Sequence, residues 1–211
     1  MNGMSMPHQS WSGAAAGYLG MWLAMMVPMM LPSLVPMLAR YRRTIRHADA
    51  VQLPGLIALA GMGYFLVWAV LGVVALAVSE GLMAAGQRWG AGAGPWPVVT
   101  GVVLLAAGVV QLSPWKSRQL ARCLETSGCG GPHAPDALGA WRHGLRLGMR
   151  CALCCSGLML ALLAVGLMNL VAMALVTLAI TAERLAPTPQ RVARIAGLTI
   201  VAVGMLTVAG I

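Results

Sequence analysis

Sulfur side chains are concentrated at two places in this chain of 211 residues. The first group is Met21, Met25, Met26, Met29 and Met30, and the second is Cys151, Cys154 and Cys155. Apolar packing needs neither sulfur type at such density, because Leu, Val or Ala would serve equally well. Thioether and thiolate groups are soft ligands that suit soft metal ions, above all Cu(I). The two groups therefore favour the binding of a soft metal.

The methionine spacing predicts that these side chains share one side of a helix. Met21, Met25 and Met29 recur every four residues, and Met26 and Met30 repeat the same interval beside them. Residues four apart are neighbours on a helix surface, so two thioether columns are expected on adjacent faces. Thioethers stay neutral when they bind a metal, which suits an apolar environment. Adaptable packing around a helix containing prolines remains an alternative, since Met fills irregular gaps.

The cysteine group is expected at the start of a helix, with Cys151 and Cys155 one turn apart and Cys154 beside them. A C-x-x-C pair can bind one metal ion or cycle as a dithiol, and inert packing is a third possibility. Asn169 is costly in lipid and is expected to face the bundle interior, either hydrogen-bonded between helices or as a ligand. Further possible ligands are Cys123, Cys129 and His143 before the group and Met159, Met168, Asn169 and Met173 after it.

The composition places the chain in a membrane. Hydrophobic residues make up 59%, charged residues 9%, and the mean hydropathy is +0.81. No soluble domain of this size could bury so much apolar surface. Five segments have about the length of a bilayer crossing, and they are about 15–39, 54–78, 97–113, 152–180 and 195–211. We expect an all-α polytopic membrane bundle of about five transmembrane helices, a single domain over 1–211 with 114–150 as a cytosolic connection.

The net charge of +9 does not indicate a nucleic-acid partner, because the basic residues lie in the connections between spans. On a five-span arrangement ten Lys and Arg residues fall on one side and four on the other. The positive-inside rule then predicts a multi-pass protein of the bacterial inner membrane with its N-terminus outside and its C-terminus inside. The same residues are expected to contact anionic membrane lipid.

Several short motifs occur in a characteristic order: LAMMVPMMLPSLVPM, QLSPWK, CCSGLM, VGLMNLVAM and AERLAP. From about residue 20 onward the chain resembles a bacterial family of predicted metal-binding integral membrane proteins of unknown function. The resemblance implies roles for Met25, Met26, Met29 and Met30, for Cys123 and Cys129, for Cys151, Cys154 and Cys155, and for Met168 with Asn169. The chain departs from the family at Leu147, where a His is common, and at Ser156, where a Trp is common. These departures shift weight toward sulfur ligands or His143.

Together these observations favour a Cu(I)-binding inner-membrane protein that acts in metal transport or delivery, with a metal ion and other membrane or metallochaperone proteins as partners. No motif for a nucleotide or an organic cofactor is evident. A non-enzymatic role is favoured, and an enzymatic role stays open. Two alternatives remain open. The cysteines could serve a quinone-linked membrane thiol–disulfide oxidoreductase, or the chain could be a non-catalytic subunit of a larger membrane complex.

Overall fold

The computed structural model describes residues 11–44, 51–88, 96–126, 136–166 and 169–210. These residues form seven helices and contain no strand, which confirms the predicted all-α class. The helices are α1 (Trp11–Thr44), α2 (Leu53–Arg88), α3 (Trp96–Leu112), α4 (Pro114–Thr126), α5 (Ala137–Val165), α6 (Leu170–Leu185) and α7 (Pro189–Ala209).

Four of the described helices, α1, α2, α5 and α7, are long and apolar enough to cross a membrane. A fifth crossing results if α3 and α4 count as one span, bent by 58°. The bend falls at Ser113, directly before Pro114, because a proline disfavours helical geometry in the residue that precedes it. By length and composition the described helices thus give four or five spans against the five expected, and α5 begins at Ala137, within the segment expected as a cytosolic connection.

Side-chain contacts establish the directions of the helices. The indole nitrogen of Trp22, early in α1, donates to the carbonyl of Trp68, midway along α2, at 2.9 Å. Tyr41, near the end of α1, packs in a cluster with Leu56, near the start of α2, so the two helices are antiparallel. Helices α2 and α5 are parallel, since Gly144 packs against Ala60 and Gly148 against Tyr64 further along both. Glycines allow this close approach because they present no side chain at the contact.

The sequence predicted one long span over about 152–180, and here the structure differs. Helix α5 ends at Gly166, whose φ of 107° is a conformation that favours glycine. Asn169 then caps α6, its side-chain oxygen accepting a hydrogen bond from the backbone of Ala172 at 3.0 Å. Helix α6 returns along α5, because Arg184 near its end contacts Cys151. The predicted single span is a helical hairpin.

This hairpin changes the expected relation between the chain ends. Helix α7 is antiparallel to α3, with Gly101 of α3 against Val208 and Gly108 against Val201. The α7 C-terminus therefore lies at the level where α3 begins and α2 ends. Helix α1 begins at that same level, since it is antiparallel to α2. The start of α1 and the end of α7 thus share one end of the bundle, whereas the five-span reading places them at opposite ends.

The main buried cluster gathers side chains from α1, α2, α4, α5, α6 and α7. At its centre are Met26, Met30, Tyr64, Trp68 and Cys151, each no more than 1% exposed. Both sulfur groups identified in the sequence contribute to this cluster. The fold therefore brings the methionines of α1 against the cysteines of α5.

Candidate metal site

Two sulfur atoms of the buried cluster lie within 4.0 Å of the Cys151 sulfur. Its Sγ atom lies 4.0 Å from the Sγ atom of Cys155, one turn further along α5. The Sδ atom of Met30, on α1, lies 3.9 Å from the same Cys151 sulfur. All three residues are at most 1% exposed. Two thiols and one thioether therefore converge in an enclosed space.

Each of the two spacings from Cys151 fits a pair of sulfurs bound to one soft metal ion. With metal–sulfur bonds of about 2.3 Å, as zinc thiolates have, sulfurs 4.0 Å apart subtend an angle of about 120° at one ion. The Met30 and Cys151 sulfurs, 3.9 Å apart, satisfy the same condition. Among the described residues, no three His, Cys, Asp or Glu side chains could hold an ion. A three-ligand site here consequently requires the Met30 thioether.

The Cys151 sulfur has a polar neighbour on α2. The hydroxyl of Tyr64 lies within hydrogen-bonding distance, 3.0 Å from the Cys151 Sγ atom, and the Tyr64 side chain is fully buried. A hydroxyl can donate to a thiolate, and such a bond orients the sulfur and stabilises its negative charge. Because α2 and α5 are parallel and closely packed at Gly148, the Tyr64 ring is held at this depth.

A guanidinium group completes the surroundings of the two thiols. Arg184 of α6 donates from Nη2 to the Cys151 Sγ atom at 3.0 Å and to the Cys155 Sγ atom at 3.8 Å. Its Nη1 atom donates to the Sδ atom of Met37 at 3.5 Å. The side chain thus links sulfur atoms of α5 to a further thioether of α1. Arginine carries a permanent positive charge, which favours thiolates beside it.

A buried ion pair fixes α6 against α4 and α5. The Lys116 Nζ atom lies 2.8 Å from the Glu183 Oε2 atom, and both side chains are 1% exposed. The same Nζ atom donates to the carbonyl oxygen of Cys154 at 2.5 Å. Gln111 of α3 donates from Nε2 to the other Glu183 oxygen. Because Glu183 precedes Arg184 in the chain, this network also sets the position of the guanidinium.

The other predicted methionines of α1 differ in their placement. Met26 and Met29 are buried in the central cluster, 0% and 2% exposed, and Met25 is half-buried against it. Met21 is 40% exposed and lies outside the cluster. Met26, Met29 and Met30 therefore form the buried thioether face of α1. Of the predicted column Met21, Met25 and Met29, only Met29 is fully buried.

The remaining predicted ligands lie at varying distances from the thiols. Cys154 and Met159 are buried in the central cluster, and Met173 packs partly buried against it. Asn169 is exposed and uses its side-chain oxygen to cap α6, so it does not face the bundle interior as expected. The ring of His143 stacks on Tyr41 with centroids 4.3 Å apart. Cys129, Met168 and the side chain of Cys123 lie outside the described residues.

Sequence reasoning did not identify Tyr64, Met37, Gln111, Lys116 or Arg184 as parts of this site. The sequence did contain one indication of these residues. Four of the site's residues are polar and lie within or beside apolar segments: Gln111, Lys116, Glu183 and Arg184. Such residues rarely face lipid and usually mark functional or paired positions. Their partners could not be derived, since they depend on the return of α6 along α5.

Comparison with known proteins gives one family. A family model described as "PpoB2: Copper chaperone" matches residues 19–207. No curated protein and no solved structure matches the chain. The match agrees with the metal-binding resemblance seen in the motifs, and the family's description names copper. Since it extends over nearly the whole chain, the protein belongs to the PpoB2 copper chaperone family.

Proposed function

We propose that this protein is a membrane copper chaperone that binds Cu(I) at Cys151, Cys155 and Met30 and delivers it to a partner protein. The observation that carries the proposal is the convergence of three buried sulfurs, with Cys155 and Met30 at 4.0 Å and 3.9 Å from Cys151. Cu(I) prefers sulfur ligands and accepts low coordination numbers, which two thiolates and a thioether provide. The family description independently concerns copper.

The thioethers beside this site suggest how the ion reaches and leaves it. Met26 and Met29 lie on the same buried face of α1 as Met30. Met37, further along α1, contacts Arg184 of α6. Neutral thioethers can exchange an ion among themselves without burying further charge. We therefore propose that copper moves along the thioethers of α1 and is bound most strongly at the thiols of α5.

The orientation follows from the distribution of basic residues. Of the fourteen Lys and Arg residues, Arg88 alone belongs by chain position to the bundle end where α1 begins and α7 ends. By chain position the other thirteen belong to helix segments or connections toward the opposite end. By the positive-inside rule that opposite end faces the cytosol. Both the start of α1 and the end of α7 are then outside, which replaces our earlier expectation of a cytosolic C-terminus.

Neither alternative from the sequence gains support. A non-catalytic subunit would need no enclosed set of sulfurs. The family description names a chaperone and mentions neither activity.

Copper loading of the purified protein tests the proposal. The wild type, kept reduced and anaerobic in detergent, is expected to retain about one Cu(I) per chain, and Cys151→Ser/Cys155→Ser is expected to lose it. Met159→Leu is the matched control, because Met159 is a buried sulfur residue of the same helix that lies outside the proposed ligand set. Circular dichroism establishes that each variant is folded. A metal-free wild type, or loss of copper only in Met159→Leu, would overturn the assignment.

A further inference from the structure

The charge of the site is set by a residue that is not itself a metal ligand. Arg184 donates hydrogen bonds to both thiol sulfurs, at 3.0 Å to Cys151 and 3.8 Å to Cys155. A guanidinium cannot lose its proton in a protein. The site therefore contains one fixed positive charge in direct contact with the two atoms that would carry negative charge.

Several described neighbours of the site add no net charge. Lys116 and Glu183 form an ion pair at 2.8 Å, so their charges cancel. Tyr64 approaches from α2 as a neutral hydroxyl, and Met30 and Met37 approach from α1 as neutral thioethers. None of these five side chains changes the charge that Arg184 brings to the two thiols.

We propose that Arg184 makes the site selective for a monovalent soft cation over divalent soft cations such as Zn²⁺ and Cd²⁺. This inference rests on the proposed Cu(I) site. Cysteine binds metals as the thiolate, so a bound ion meets two negative charges from Cys151 and Cys155. Together with the positive charge of Arg184, these three groups carry a net charge of minus one. One monovalent ion neutralises that charge.

A divalent ion in the same place leaves an excess positive charge in a fully buried space. Uncompensated buried charge is costly, because the low-dielectric interior replaces water around it. Softness alone does not give this discrimination, since thiolates also bind Zn²⁺ tightly. The guanidinium of Arg184 lets the site also discriminate between metal ions by their charge.

Substitutions that change the charge of the site test this role. Ag(I) serves as the monovalent probe and Cd²⁺ as the divalent one, with metal content measured after competition in detergent. Arg184→Gln is expected to reduce the Ag(I)-to-Cd²⁺ preference by at least about tenfold, the lower bound for altered outer-sphere partners. Arg184→Lys keeps the charge and is expected to keep the preference.

A double variant separates the effect of net charge from any other effect of removing the guanidinium. Arg184→Gln/Cys155→Met has one thiolate and no guanidinium, so its net charge is again minus one and the Ag(I) preference is expected to return. Equal preference ratios in wild type, Arg184→Gln and the double variant, with Ag(I) still bound, would overturn the role of Arg184 while leaving the copper site intact. Failure of the wild type to bind either Cu(I) or Ag(I) would instead overturn the site itself.

Discussion

The hydroxyl oxygen of Tyr64 lies 3.0 Å from the sulfur of Cys151, although 87 residues separate them in the chain. The contact exists because α2 and α5 run parallel and approach closely at glycines of α5. It gives the Cys151 sulfur a second polar partner beside the guanidinium of Arg184. A partner of this kind orients a ligand and tunes its affinity for metal.

We therefore expect Tyr64→Phe to weaken Cu(I) binding by about 10- to 100-fold, the range typical when an outer-sphere hydrogen bond to a ligand is lost. The substitution removes one oxygen and leaves the ring packing intact. Competition with a Cu(I) chelator measures the change. Tyr18→Phe is the control, since Tyr18 stacks on Trp22 away from the thiols. Equal affinities in the two variants would exclude a role for the hydroxyl.

The thioether of Met30 provides a second test. Met30→Leu preserves volume and apolar character but removes the sulfur that lies 3.9 Å from Cys151. We expect its Cu(I) affinity to fall by more than about tenfold, or 1.4 kcal/mol. Met21→Leu on the same helix is the matched control, because Met21 is 40% exposed and outside the cluster. An unchanged affinity in Met30→Leu would reduce the site to its two thiols.

The sequence alone supports much of the fold and about half of the site. Hydropathy identified the apolar segments, and the helical spacing identified the face of α1 that carries Met26 and Met30. The break at Gly166 was missed, because the residues on both sides are equally apolar and hydropathy has no signal for a reversal. Recognition of Gly166 and Asn169 as a helix stop and start was the available clue.

The polar half of the site depended on that reversal. Arg184 reaches Cys151 only because α6 returns along α5, so no pattern within either segment could have paired them. Tyr64 is a similar case, since its contact depends on the parallel arrangement of α2 and α5. Contacts between distant segments follow from topology, and local periodicity does not determine topology.

The ion pair between Lys116 and Glu183 predicts a strong dependence of stability on both partners. Glu183→Gln leaves the Lys116 ammonium buried without its counter-charge, and we expect about 3–5 kcal/mol of destabilisation. The joint variant Lys116→Met/Glu183→Gln removes that charge and is expected to recover much of the loss. Unfolding in detergent with a mild denaturant measures both. Additive losses in the joint variant would show that the two charges are not coupled.

The contact between α2 and α5 predicts that Gly144 tolerates no side chain. A Cβ atom there would overlap the backbone carbonyl of Ala60, which cannot move without displacing α2. We expect Gly144→Ala to lower stability by about 3 kcal/mol, the upper part of the overpacking range, and to weaken copper binding by shifting Tyr64. Gly61→Ala is the control, since its Cβ atom would meet nothing within 4 Å. Equal melting temperatures would contradict the packing.

The helical hairpin of α5 and α6 predicts the membrane topology. Reporters fused ahead of α1 and after α7 are expected to read the same, outer side, because both lie at the bundle end that carries Arg88 alone. A reporter inserted between α6 and α7, ahead of Arg191 and Arg194, is expected to read the cytosol, where basic residues are retained. Labelling of single introduced cysteines in a variant with the native cysteines replaced gives an independent reading. Opposite sides for the two ends would mean that α6 does not return across the bilayer. Arg184 could then not contact the thiols in the membrane-embedded protein.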